Sequence, residues 1–282
     1  SRQDQFESCI EVEEVEGGIS KTHIKGGCEL IIHGNQTVLG GNLFVSDGLG
    51  SLSCSSNSKN ACSGTGNIII GRHNSQDVSA GHRSITGSHN IILGKDHIVS
   101  SHGGIVSGIN HMATGPHASA IAGDSNIVSG SSSAAVGGYS NTASGRWASV
   151  SGGDHNTAAG TESSVSGGSS NTASGTSASV SGGSSNTASG TWASVSGGHV
   201  NTASESSSSV LGGSLNTASG LEASVSGGVF NVANGTYSSL SGGGYSLANG
   251  TSSSVSGGHT NKALGDYSSV LGGRMNTTTA DI

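Results

Sequence analysis

Along most of the chain, apolar and polar residues alternate in a four-residue phrase, such as Ala148-Ser149-Val150-Ser151, that returns every 15 residues. A period of two predicts a short strand that turns Ala148 and Val150 to one face and Ser149 and Ser151 to the other. The paired glycines that follow, Gly152-Gly153, admit a backbone conformation that a Cβ resists, and the single Gly145 is expected to serve a second corner. Each row then holds two short strands and two turns.

The rows begin at Asn126, Asn141, Asn156, Asn171, Asn186, Asn201, Asn216, Asn231, Ser246, Asn261 and Asn276. A flexible tether has no reason to keep such phase. A solenoid does, because each coil must set the same column over the same column of its neighbour. With coils about 4.8 Å apart, the intervals from Asn126 to Asn276 span roughly 50 Å. An Asn column can bond the equivalent amide in the next coil or cap backbone groups at a turn, so the Asn ladder reads as structural. Thr142, Thr157, Thr172, Thr187, Thr202 and Thr217 form a second column, ended by Val232, Leu247 and Lys262.

Composition alone suggests a linker, with 50 glycines and Pro116 as the single proline. Yet the net charge is only -7 and 31% of residues are apolar, whereas disordered chains combine low hydrophobicity with high net charge. Any core must be built from small residues. So thin a core is stabilised by side-by-side association, which the Ala and Ser columns permit at close range. No apolar run approaches the ~20 residues of a membrane span. Lys and Arg total 10, too sparse for a nucleic-acid surface.

The rows V-S-G-G-x-x-N-T-A-S-G-x-x-A-S resemble the YadA-like head repeats of trimeric autotransporter adhesins and related fibre proteins. The resemblance is strong from Ser119 to Asn276 and looser from Gly66 to Ala118, where an I/V-x-G-x-x-N kernel recurs at changing spacing in Asn67–Asn74, Ser84–Asn90 and Gly123–Gly130. It implies an all-β, left-handed parallel β-roll, assembled as a homotrimer that holds a sticky head away from a cell or particle. The stalk heptads of that family do not occur in this sequence, which leaves a fragment, a viral fibre or an unrelated surface protein open. Three regions are expected: a Cys-containing cap over 1–65, irregular coils over 66–118 and regular coils over 119–282. In the irregular coils Ile69, Ile85, Ile92, Ile105 and Ile121 are expected to face inward.

Cys9, Cys28, Cys54 and Cys62 all lie in the first region, none at C-x-x-C spacing. They predict two disulfides, with three pairings open, that close the exposed end of the roll. The acidic run Glu11–Gly18 reads as a solvated strand face. Asn35, Asn234, Asn249 and Asn276 stand in N-x-S/T sequons and are glycosylation candidates, which with the cysteines suits an extracellular, cell-surface or virion-surface protein.

Seven histidines lie between His73 and His117, and His73, His89 and His97 sit at or beside turn kernels. Without Cys, Asp or Glu at ligand spacing they read as exposed polar residues, so neither a metal nor a cofactor is expected. No G-x-S-x-G elbow and no isolated carboxylate pair points to catalysis. The expectation is therefore a non-enzymatic structural and adhesive rod. Variable columns supply its contacts, with Trp147, Trp192, Phe230, Tyr237, Tyr245 and Tyr267 the candidates to meet a glycan, a matrix surface or a neighbouring rod. A subunit of an extracellular filament or sheath is the first alternative, and an ice- or crystal-binding solenoid using the Thr column is the second.

Overall fold

The computed structural model describes residues 10–15, 19–24, 43–45, 67–72 and 85–279. The four cysteines, Asn35 and His73 lie outside the described residues, and so do the disulfides expected of them. The chain divides into two compact units, Ser1–Leu39 and Gly40–Ile282. In the first, Ile10–Val15 and Ile19–Ile24 pair antiparallel, with Glu11 in register with His23 and Glu13 with Lys21.

The second unit is an all-β parallel solenoid, and no helix occurs among its described residues. Among the described residues one sheet has 15 strands and follows the Val150 column. The other has 13 and follows the Ala143 column. In a typical coil the Thr142–Ala143 strand enters the alanine sheet and Ser149–Val150 enters the valine sheet. Asp154 then makes two isolated parallel bridges, one to Tyr139 and one to Ser169, before Asn156 opens the next coil. Register is strict, with Thr142 beside Thr157 and Val150 beside Val165.

Hydrogen bonds leave each coil in both directions. The strands donate onward, from Thr142 N–H to Asn156 O at 2.8 Å and from Ser149 N–H to Ser163 O at 3.0 Å. The corners donate back, from Trp147 N–H to Ser131 O at 2.9 Å and from His155 N–H to Tyr139 O at 3.0 Å. Each interior coil is thereby held from both sides. The space between the sheets is one small side chain deep: Ala143, Ala148 and Val150 are buried, while Ser149 and Ser151 turn outward as the alternation predicts.

The glycines divide their work differently from the expectation. Gly153 has φ +87° and approaches Gly168, so it meets both conditions that demand glycine. Gly145 has no left-handed backbone. It is glycine because an added Cβ would lie 1.9 Å from the Gly160 carbonyl oxygen in the next coil. The true corners are carried by residues with side chains.

The irregular coils differ in length, since Ile68 pairs Ile91 across 23 residues and the coils that follow are shorter. From Ile91 to Ile105 and from Val106 to Ala120 the coil is 14 residues long, as the paired registers show. Between Ser107 and Ile109 the register shifts, so that Ile109 pairs Asp124 and the 15-residue coil begins. The extra residue falls at Ala122-Gly123, both left-handed, at φ 58° and 84°. Here the expected core needs correction. Ile69, Ile85 and Ile92 are buried, but Ile105 is exposed and Ile121 half-buried, because Val106 and Ala120 take the inward register beside Ile92. In doublets such as Ile105-Val106, hydrophobicity alone does not decide which residue faces in.

Candidate contact surface

Two columns form the corners of each coil, and both hold the residues that vary most. Every residue described from Trp147 to Tyr267 at 15-residue steps has φ between 54° and 60°, and so does Ser132 at 55°. The column from Ser140 to Met275 likewise lies between 51° and 58°. Non-glycine residues enter this region at a cost of about 1–2 kcal/mol each. Here the backward hydrogen bonds of the corners hold the backbone in place, and the side chain points away from the packed interior. Even β-branched Val200 and Thr260 adopt it, at φ 52° and 57°.

All six candidate contact residues sit on these corners. Trp147, Trp192, Tyr237 and Tyr267 share one column, with φ 58°, 58°, 59° and 57°. Phe230 and Tyr245 are adjacent in the other, at φ 55° and 53°. All six are exposed, Trp192 to 65% and Tyr267 to 66%. Trp147, Trp192 and Tyr237 follow at intervals of three coils, about 14 Å at the usual strand spacing. The structure brings Phe230 and Tyr245 together, rings stacked at 5.0 Å, with His259 5.3 Å beyond. It leaves Trp147 separate, with the Arg146 guanidinium 3.6 Å over its ring. The sequence signal for a corner is variability at fixed phase. That the corner is left-handed has no signature, since Trp, Glu, Val and Ser all occupy it.

The Asn column resolves in favour of backbone capping. Asn141 Oδ1 accepts the backbone N–H of Asn156 at 2.9 Å, while Asn156 Nδ2 donates to Gly152 O at 3.0 Å and to Gly168 O at 2.9 Å. One side chain thus ties its own coil to the next. Asn126 through Asn231, and Asn261, are fully buried, whereas Asn276 is exposed. Ser246 keeps part of the link: its N–H donates to Asn231 Oδ1, and its hydroxyl accepts Asn261 N–H at 3.2 Å.

Two histidines stand in the same column. His97 and His111 are fully buried, which corrects the reading of His97 as an exposed turn residue. They fill rungs that Asn fills elsewhere. Sequence reasoning missed this because neither is Asn: His111 lies fifteen residues before Asn126, in phase with the column, and His97 a further fourteen before it. His102 and His117 are exposed and meet edge-on at 4.7 Å.

The Thr column from Thr142 to Thr217 lies half-buried along the outer face of the alanine sheet and passes in register to Val232. On the same face Asn234 Nδ2 donates to Asn249 Oδ1 at 2.8 Å, so two of the sequons touch. The Asn276 backbone N–H donates to Asn261 Oδ1, and its Nδ2 donates to Gly272 O. On the outer valine sheet, Ile68, Ile91 and Ile105 are exposed in one register row and Ile70 and Leu93 in the next.

Among the described residues, no group of three His, Cys, Asp or Glu side chains converges as a metal site would. Asp154 Oδ1 lies 2.9 Å from His155 Nδ1, both on the exposed surface. No helix among the described residues is long and apolar enough to cross a membrane. These features define a parallel β-solenoid with coils of about 15 residues, displaying variable side chains on two corner columns. No protein-family model matches the chain, and no curated protein matches it.

Proposed function

We propose that this chain is a non-enzymatic structural and adhesive rod of an extracellular, cell or virion surface, akin to the YadA-like head repeats. In this reading it works as a homotrimer of left-handed β-rolls. Disulfides among Cys9, Cys28, Cys54 and Cys62 brace its N-terminal region, and Asn35, Asn234, Asn249 and Asn276 are the glycan acceptors. The observation that carries the reading is that all six aromatic candidates stand exposed on left-handed corners of a frame whose remaining columns are small and repetitive. A rigid frame that repeats aromatic side chains suits weak contacts multiplied along its length. Such contacts fit a glycan or matrix surface, with no cofactor, nucleic acid or membrane insertion involved. The exposed apolar rows of Ile68, Ile91, Ile105, Ile70 and Leu93 supply the face for self-association.

Binding of the full chain to immobilised glycans and matrix proteins tests this reading, together with its native mass in solution. Three chain masses and saturable binding are expected. Replacing Trp147, Trp192 and Tyr237 together by Ala should lower avidity far more than any single replacement. A monomer that binds no surface would overturn the reading, and open-ended polymers would favour a filament subunit.

The six-rung Thr row favours one second reading, an ice- or crystal-binding face. It predicts thermal hysteresis that disappears on replacing Thr172 and Thr187 by larger residues.

A further inference from the structure

The ladder that joins the coils changes chemistry at two consecutive rungs. His97 Nδ1 accepts the backbone N–H of His111 at 3.2 Å, and His111 Nδ1 accepts that of Asn126 at 3.2 Å. Each thus plays the part of an Asn side-chain oxygen. His97 Nε2 lies 3.1 Å from Leu93 O, four residues back, as Asn156 Nδ2 lies 3.0 Å from Gly152 O. Imidazole can fill this role only when neutral, with Nδ1 bare and the proton on Nε2. The two rings stack at 5.3 Å and 11°, and His111 Nε2 is buried without a hydrogen-bond partner.

We propose that His97 and His111 form an acid-sensitive joint, which couples the coils over 85–125 to the regular solenoid at neutral pH and releases them when the imidazoles take up protons. A proton on Nδ1 sets a donor against the backbone N–H of the following coil and breaks the rung. Two stacked imidazolium rings also repel each other. Few charges stand close enough to offset this. Asp124, at the end of the Ser119–Asp124 strand, acts on His111 in the opposite sense, and Asp96 adjoins His97 with Lys95 before it. The strands Ile98–Val99, Ile105–Ile109, Met112–Ala113 and Ile127–Val128 bring no titratable side chain.

Burial holds the His111 imidazole below its usual value, outweighing the nearby Ser107 and Ala122 backbone groups and Asp124, which raise it. The folded state therefore binds fewer protons than the unfolded one. The stability that His111 contributes is complete above the ordinary His value of about 6.5 and is lost as pH falls through the depressed folded value. From Asn126 onward the ladder holds Asn and one Ser, neither of which titrates, so the loss is confined to one end of the solenoid.

Hydrogen exchange on the full chain tests the joint, comparing about pH 7.5 with about pH 5 after correction for intrinsic rates. Protection over 86–125 should fall about ten-fold or more at the lower pH, while protection over 141–276 stays constant. The double variant His97→Asn/His111→Asn, folded at neutral pH, should keep its protection over 86–125 at both values. Unchanged protection over 86–125 in the parent chain, or an equal loss in the variant, would overturn the proposal. Should the variant fail to fold, nitrogen NMR of the parent imidazoles decides. Both must hold the neutral Nε2–H form wherever protection persists, and protonation of either ring without loss of protection sinks the joint.

Discussion

The side-chain carbonyl of Asn156 accepts the backbone N–H of Asn171 at 3.0 Å, so that a residue in one coil satisfies the main chain of the next. Repeated at nearly every rung, this bond explains how a solenoid with so thin an apolar interior keeps its register. A buried donor left unpaired costs more than the bond itself is worth, which makes each rung a strong constraint on alignment.

Replacing Asn171 by Ala removes its bonds to Asn186 N–H, Gly167 O and Gly183 O, at 2.9 Å each, and orphans buried backbone groups in two coils. A loss of about 3–5 kcal/mol is expected. Guanidinium unfolding followed by circular dichroism checks it, with a markedly lower midpoint as the predicted result.

Ser246 is the natural counterpart of that experiment. Its side chain lacks the amide that elsewhere reaches the two flanking glycine carbonyls, here those of Gly242 and Gly258. Ser246→Asn should restore both bonds and raise stability by about 1–2 kcal/mol. An unchanged or lower unfolding midpoint would show that the coil has closed around the smaller residue.

The glycines offer a sharp contrast between near neighbours. A Cβ on Gly175 would lie 1.9 Å from the Gly190 carbonyl oxygen, whereas one on Gly182 meets nothing within 4 Å and needs no left-handed backbone. Gly175→Ala is expected to destabilise by about 3 kcal/mol or more. Gly182→Ala should stay within about 0.5 kcal/mol of the parent chain. Melting temperatures of the two variants, measured side by side, provide the check.

Val200 holds a left-handed backbone that β-branched residues resist and Asn tolerates. Val200→Asn should therefore stabilise the chain by up to about 1 kcal/mol while keeping the Val200 N–H bond to Ser184 O. A drop in unfolding midpoint would mean that the exposed valine makes contacts worth more than its strain.

Much of this architecture was legible because a fixed period writes its geometry directly into the chain. The inward Ala148 and Val150, the outward serines and the Asn ladder follow from alternation and phase alone. Position in the phase says less about backbone shape. The corner occupied by Trp147 and Glu162 carries no glycine signature, since the ladder of backbone bonds, rather than the residue, imposes the left-handed turn. Glu205 stands in the Gly145 column, and nothing in the structure explains how that rung takes a Cβ where its neighbours Gly190 and Gly220 have no room for one. Where the phase slips, inference fails. Ile105 faces outward and His97 inward because a 14-residue coil offsets them from the rows on which the columns were defined, whereas Ile121, in register with Val136, and His111, fifteen residues before Asn126, keep the phase but break the pattern of residue types.

The single added residue at Ala122-Gly123 gives the solenoid two thread pitches on one shaft. Beyond it whole turns of fifteen residues can be gained or lost with every facing preserved, whereas just before it the whole turn is fourteen. Length can thus change in both stretches, by a different step in each.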